Sequence, residues 1–388
     1  MIAALGGAYF FSNFHRLALG VLGAQISADL SLTSLQTGTL GSALFYSYAL
    51  MQIPCGYISD RVSARVLVSL ACLLTAAGTV WFACASSFAA MVAARALTGV
   101  STSLVYIPAL SAIRRQFGDA SFGAMTGIMV AMGQMGAVSA ASPLKWLSSL
   151  WGWRNAFAVI GAVTVVLGAL AWALVKDADG EKTVHPPLSV GLKCAGTPLF
   201  GAVAAWFFVT GGTRLCFQGL WGGMFFIKGR GFAPGEAGLL LTLVSLGCII
   251  GSLLMGRLSD VWGNVRTMIA GSLALVVVWL GLGCASDVEF FAAAGLCLLL
   301  GAAGAGGFTV GFSSIRLFAA KENTGLLTGI VNLFAFLGSA LFTQLSGSII
   351  STLPCPDRQK YSALLIVFAA LCCVSTCVLG FAWRREKR

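Results

Sequence analysis

Twelve stretches of about twenty predominantly apolar residues recur along this chain, and each is as long as an α-helix must be to cross a hydrocarbon layer roughly 30 Å thick. No other feature limits the fold as strongly. The spans fall near 2–26, 36–58, 66–86, 88–112, 122–147, 155–175, 198–227, 236–258, 267–286, 289–314, 324–350 and 362–383. Of the 388 residues 58% are apolar and 10% charged, and the mean hydropathy is +0.91, more apolar surface than a soluble core can bury. The chain is expected to be an all-α, polytopic membrane protein with the lipid bilayer as its solvent.

The connections between spans alternate in charge. One set holds fifteen Lys and Arg, among them Arg61, Arg65, Arg114, Arg115, Arg257, Arg266, Arg384 and Arg385. The other set holds six: Lys145, Arg154, Lys228, Arg230, Arg358 and Lys360. By the positive-inside rule both termini are expected in the cytoplasm, and the compartment is expected to be a bacterial inner membrane. The net charge of +11 is mostly this bias, so no nucleic-acid partner is read into it. Met1 opens almost directly into the first span without a basic n-region, which argues against a signal peptide. The twelve cysteines form no CxxC pair or Cys/His group, so neither a metal nor another cofactor is expected.

The punctuation of the chain repeats. GYISDRVSAR (56–65) follows the second span and GRLSDVWGNVR (256–266) the eighth; SAIRR (111–115) recurs as SSIRL (313–317), and TGI at 126–128 recurs at 328–330. Arg16 has a counterpart in Arg214, within FFVTGGTRLCFQG. The offsets drift only between 198 and 202. The expected organisation is two pseudo-symmetric six-helix bundles, 1–175 and 198–388, joined by a charged, Pro-containing cytoplasmic linker at 176–197.

With these motifs the chain resembles the major facilitator superfamily of transporters over essentially its whole length. The superfamily's loop motif G-x-x-x-D-R-x-G-R-R/K is kept in frame by Gly56, Asp60, Arg61 and Arg65, with Ser63 and Ala64 departing from it. The second copy keeps Gly256, Asp260, Gly263 and Arg266, but has Val261 where an Arg is usual. The resemblance implies that these residues form a conformational latch, that the fold is the major facilitator fold, and that the protein works as a monomer. RALTG (95–99) resembles the fourth-helix motif R-x-x-x-G, whereas AMGQMGAVSAASP (131–143) lacks the fifth-helix signature of drug/proton antiporters.

His15 and Arg16 lie in the middle of the first span. An arginine there costs about 2.5–3.5 kcal/mol, so it persists only with a partner or a watery cavity. Gly6, Tyr9, Asn13, Arg16, Gly20, Gly23 and Ser27 fall three or four residues apart and make one small and polar helix face. Phe207, Gly211, Arg214, Gln218 and Trp221 make a comparable stripe in the seventh span. All thirteen acids lie outside the spans or at their edges, so the two arginines, with Arg95, predict a cationic cavity at mid-depth. A guanidinium binds carboxylate, phosphate or sulfonate through paired donors.

A similar arginine pair marks the organophosphate:phosphate antiporters of the superfamily, but Gln52 stands where those carry a Lys, and Gly133 beside Gln134 where they carry a His. The expected activity is therefore secondary transport of a small organic anion that needs less positive charge than a sugar phosphate. Tyr46, Tyr48, Gln52, Tyr106, Gln134, Gln218 and Asn332 are further candidate lining residues, alongside Asn13. GAAGAGGFTVG (301–311) lacks the following Lys-Ser/Thr of a phosphate loop and reads as a close-packing surface. Two readings of His15 stand: a proton carrier bound together with the anion, or a polar helix contact beside exchange or facilitated movement. Proton-coupled carriage of a neutral or zwitterionic solute or drug, with structural arginines, is the alternative, and an anion channel a further one. No nucleophile with a base, acid cluster or metal set supports an enzyme; His185 is the second histidine and falls in the linker.

Overall fold

The computed structural model describes residues 1–59, 61–175, 196–285, 288–315 and 324–386. Among these residues every regular element is a helix. The first half comprises α1 (Ile2–Asp29), α2 (Ser34–Leu50), α3 (Gln52–Ser59), α4 (Ala64–Cys84), α5 (Phe88–Ser139) and α6 (Ser142–Leu174). The second comprises α7 (Pro198–Gly229), α8 (Pro234–Trp262), α9 (Asn264–Cys284), α10 (Phe290–Ser314), α11 (Thr324–Thr352) and α12 (Asp357–Glu386). The linker expected at 176–197 falls almost wholly outside the described residues, as does Asp60.

Each expected span is occupied by helix. α2 and α3 together make the second, stepping at Met51, and α5 makes the fourth and fifth. The break inside α5 is at Gly118, whose φ of 66° is reached without cost only by glycine. By length and hydropathy alone nine of the described helical segments qualify as membrane spans. The three that fall short are α1, diluted by its polar stripe; the stepped α2–α3 pair; and Ala124–Ser139, which is short.

The loop motif shows why one copy tolerates losing its inner glycine. In the second copy the turn between α8 and α9 passes through Gly263 at φ 82°. At the equivalent turn Ser63 sits at φ −63° and its hydroxyl accepts from the Val66 N–H at 3.3 Å, capping α4. A serine cap replaces the left-handed turn.

Within the first half α1 packs on α5, and α4 on α5 and α6; within the second, α8 packs on α10, α9 on α10 and α12, and α7 on α11. Three seams join the bundles: α1 with α7, α2 with α11, and α5 with α8. All three are tight on the side of the membrane away from the termini. A Cβ at Gly20 would run into the Gln218 carbonyl oxygen, and one at Gly223 into the Gly20 carbonyl oxygen. Gly38 and Gly347 let α2 and α11 touch backbone to backbone. Beside them Ser42 Oγ donates to Gln344 Oε1 at 2.7 Å, and Gln344 Nε2 donates to Thr39 Oγ1 at 2.9 Å. The Ser142 and Thr242 hydroxyls meet at 3.0 Å across the third seam. Toward the termini, among the described residues, one hydrogen bond crosses between bundles: Asn332 Nδ2 to Gln52 Oε1 at 2.9 Å.

The α1–α7 approach has no room for a branched side chain. Gly20→Val is expected to lower the unfolding free energy in detergent by about 1–3 kcal/mol through overpacking and to reduce transport. Gly295→Ala, where a Cβ meets nothing within 4 Å, is the control expected to leave the melting temperature unchanged or slightly raised.

Candidate functional site

Arg16 lies at mid-length in α1 and is 7% exposed. Its side chain turns back along its own helix, as side chains on a helix do. Nε donates to the Ser12 carbonyl at 3.3 Å and Nη2 to Asn13 Oδ1 at 2.7 Å. Three rings surround the guanidinium: Tyr48 at 5.2 Å, Phe336 at 5.5 Å and Tyr9 at 6.0 Å from Cζ. Phe336 comes from α11 in the other bundle and packs on Tyr48, with ring centroids 4.2 Å apart. Cation–π contacts of this kind contribute about 0.5–2 kcal/mol each, more as water is excluded.

Arg214 is placed in α7 among π-helical turns at Phe207–Gly211 and Phe217–Trp221, and is 8% exposed. Nη1 donates to Gln218 Oε1 at 3.0 Å and to Cys248 Sγ at 3.8 Å. Gln218 in turn donates to Ser245 Oγ at 3.0 Å, and the Phe308 ring lies 5.4 Å from Cζ. The aliphatic stem of Arg214 lies against α10 at Gly304, in the volume that a Cβ there would fill. The glycine run at 301–311 therefore packs helices: Gly301 admits the Val244 backbone, Gly307 the Trp206 ring and Gly311 the Phe207 ring.

The α1–α7 seam sets the two arginines at the same level. Gly20 touches Gln218, and Arg16 and Arg214 each lie four residues, about one turn or 6 Å, from that contact along their helices. Among pairs of described residues the one ion pair within 4.0 Å is Lys360 with Asp357, so neither arginine has a described carboxylate partner. Their bonds use Nε and Nη2 of Arg16 and Nη1 of Arg214. Arg16 Nη1 and Arg214 Nη2 make none and neither is fully buried, whereas Arg214 Nε is buried without a hydrogen-bond partner.

The other candidates divide into groups. Asn13 fixes Arg16, and Gln218 fixes Arg214. Tyr106 is half-buried and packs on Tyr9 with centroids 5.0 Å apart. Gln134 is half-buried beside Gly133, against which Tyr9 and Asn13 lie. Tyr46 is half-buried beside the apolar cluster of Phe45, Tyr48, Leu215, Phe336 and Ala340, drawn from both bundles. Gln52 and Asn332 bond each other across the seam. Arg95 is 3% exposed and donates through Nη1 to the His15 carbonyl at 3.1 Å, tying α5 to α1. His15 is 1% exposed, with Nε2 at 3.5 Å from Thr79 Oγ1 on α4 and its ring edge-on to Phe14. It sits on a different side of α1 from the Arg16 guanidinium.

The loop-motif arginines rest on rings. Arg61 lies over Tyr57, with Cζ 3.3 Å from the centroid, and donates to the Tyr57 carbonyl at 3.2 Å. Arg65 lies over Trp172 at 4.3 Å, and Arg266 over Trp383 at 5.7 Å. First-turn arginines of α4 and α9 thus meet the last turns of α6 and α12, a repeat in space of the repeat in sequence. Asp260 is exposed, and a Cβ at Gly56 or Gly256 meets nothing within 4 Å. Sequence reasoning missed Phe308, Phe336, Ser245 and Cys248; single apolar or small residues inside apolar spans carry no distinguishing signal.

A probable sulfoacetate transporter of Cupriavidus necator is 28% identical to this chain over 167 residues, a match covering 43% of this chain and 38% of that protein. A probable galactarate/D-glucarate transporter of Escherichia coli is 23% identical over 394 residues, 87% of this chain and 85% of that protein. Among solved structures, a bacterial homologue of the human lysosomal transporter Spinster, inward-facing and occupied, aligns with a TM-score of 0.79 at 16% identity, covering 99% of this chain and 96% of that one. The nucleoside transporter NupG aligns with a TM-score of 0.79 at 14% identity, covering 98% of each chain. The sequence profile of the Major Facilitator Superfamily matches residues 5–231 and again 203–388. With that profile spanning both halves and the helices arranged in two bundles, the chain belongs to the Major Facilitator Superfamily and is an integral membrane transporter, not an enzyme.

Proposed function

We propose that this protein moves a small organic anion across a bacterial inner membrane by alternating access, with Arg16 and Arg214 binding the anion between the two bundles. The observation that carries this reading is the pair of mid-depth guanidiniums, each with one unengaged amino group and no described carboxylate. Curated relatives named as transporters of sulfoacetate and of galactarate/D-glucarate handle small anions, which supports the same class here. The bundles 1–175 and 198–388 are the moving bodies, and 176–197 is their cytoplasmic linker. The tight seams away from the termini fit a carrier closed on that face, with the Gln52–Asn332 bond joining the bundles on the other. Arg95 has a positioning role, because its Nη1 is bonded to the backbone of α1 beside Arg16. The loop-motif arginines steady the helix ends through their ring contacts.

The test is thermal unfolding of the purified protein against carboxylates, sulfonates, phosphate, amino acids and cations. A ligand at about 100 times its Kd adds about 2.7 kcal/mol. Charge-assisted hydrogen bonds contribute about 1.5–3 kcal/mol, so Arg16→Gln and Arg214→Gln are each expected to weaken anion binding roughly tenfold to 150-fold. Stabilisation by cations or neutral solutes alone, or mutants responding like the parent, would make the arginines structural. His15 faces α4 and not the arginine cavity, so the ratio of uptake with and without an inward proton gradient is expected to be unchanged in His15→Gln. A ratio collapsing to one would identify His15 as the proton carrier.

A further inference from the structure

We infer that the junction of α1, α4 and α5, inside the first bundle, binds a small inorganic anion of the halide class on Arg95. The site is separate from Arg16 and Arg214 and stands whether or not those two carry the transported solute. The internal repeat supplies the first observation. α4 and α9 begin 200 residues apart, at Ala64 and Asn264, and α5 and α10 begin 202 apart, at Phe88 and Phe290. At those offsets Thr75 and Thr79 correspond to Leu275 and Trp279, while Arg95, Thr98 and Ser101 correspond to Cys297, Leu300 and Ala303. The five residues of the second bundle are 0–1% exposed and share one apolar core. The fold thus closes this place without a charge. In the first bundle the same place holds four hydroxyls and a guanidinium, equally buried at 0–3%. A charge within a spanning helix is costly, so one that the fold does not require marks a site.

The second observation is what the guanidinium lacks. Its Nη1 donates to the His15 carbonyl at 3.1 Å, Nη2 makes no hydrogen bond, and Nε is buried without a partner. Among the described residues no carboxylate lies within 4.0 Å of it. The hydroxyls of the junction are already committed: Thr98 donates to the Ala94 carbonyl at 2.9 Å, Thr79 to the Thr75 carbonyl at 2.6 Å, and Thr75 and Ser101 share a bond of 2.8 Å. A guanidinium has donors and no acceptor, so whatever completes it accepts hydrogen bonds, and a buried charge left uncompensated is met better by an anion than by water. The third observation limits size. A Cβ at Gly78 would lie 2.8 Å from Thr98 Oγ1 and 3.1 Å from the Ala94 carbonyl oxygen, so α4 and α5 touch within a turn of Arg95. That closeness favours a single atom over an organic body. Arg16, next to His15 in α1, turns instead toward Asn13, Tyr48 and Phe336, which keeps the two sites on different sides of the helix.

The experiment uses the full-length protein in detergent, with sodium chloride exchanged for sodium sulfate at constant ionic strength. Sulfate stabilises folded proteins by exclusion from their surface, so a melting midpoint that rises as chloride replaces it reports binding. The parent is expected to show a saturable rise, and the Arg16→Gln/Arg214→Gln double variant to keep it. Arg95→Met should lose it. Radiolabelled chloride bound to the protein is counted alongside, so the outcome does not hang on the folding of Arg95→Met; a single ion per chain is expected in the double variant. Absence of bound chloride in the parent would overturn the inference and leave Arg95 as a tie between helices. A response retained in Arg95→Met would place the ion elsewhere and overturn it too. A response kept in Arg95→Met but lost in the double variant would overturn it while supporting Arg16 and Arg214 as the anion site.

Discussion

Two arginines must be kept charged, without a described carboxylate partner, inside a slab of hydrocarbon, and much of the architecture follows from that. Each costs about 2.5–3.5 kcal/mol at the centre of a spanning helix, a cost that bare packing does not recover. The recovery is local. Asn13 and the Ser12 carbonyl take two donors of Arg16, Gln218 and Cys248 take one donor of Arg214, whose Nε is buried unpaired, and aromatic rings flank both guanidiniums. Anchors on the same helix, joined for Arg214 by Cys248 of α8, hold the side chains while one amino group of each stays unbonded. An ion pair would have stabilised the arginines more fully and removed the positive site.

The glycines serve that arrangement from behind. Gly304 makes room for the stem of Arg214, and Gly133 brings α5 against Tyr9 and Asn13. Gly20, Gly223, Gly38 and Gly347 bring the bundles together beyond the arginines, where a lipid-exposed interface has no hydrophobic driving force of its own and depends on close packing and hydrogen bonds. The α2–α11 and α5–α8 seams exchange with each other when the two halves of the chain are exchanged, and α1–α7 maps onto itself. A closed surface on one side of the arginines is thus built twice from the same design, which is what an internal repeat makes available to a carrier.

The spans were legible because hydrocarbon thickness fixes a length, and length survives any detail of packing. The repeat was legible because the turns carry Gly, Asp and Arg at fixed offsets. The arginine pair and its polar stripe could be read from spacing alone, since a helix puts residues three and four apart on one face. Distances across the fold were not legible. Nothing in the sequence said that the third intramembrane arginine, Arg95, bonds the His15 carbonyl, that His15 turns toward Thr79, or that Gln52 and Asn332 meet, because each pairing joins residues 64 to 280 positions apart. Phe336 and Phe308 were invisible for another reason: in an apolar span one more phenylalanine is the expected residue.

Although the repeat places Arg16 and Arg214 in equivalent positions, they are held differently. Every contact of Arg214 described above, with Gln218, Cys248, Gly304 and Phe308, lies within its own bundle. The surroundings of Arg16 include Phe336, which reaches it from the other bundle and stacks on Tyr48. Relative movement of the bundles would carry the environment of Arg214 along unchanged but would withdraw a ring from Arg16. A ring from the other bundle is thus part of the surroundings of Arg16 and not among the described contacts of Arg214. If the two arginines bind the anion as proposed, this asymmetry would make the one in α1 the charge whose affinity changes with conformation, the difference a carrier needs to bind on one face and release on the other.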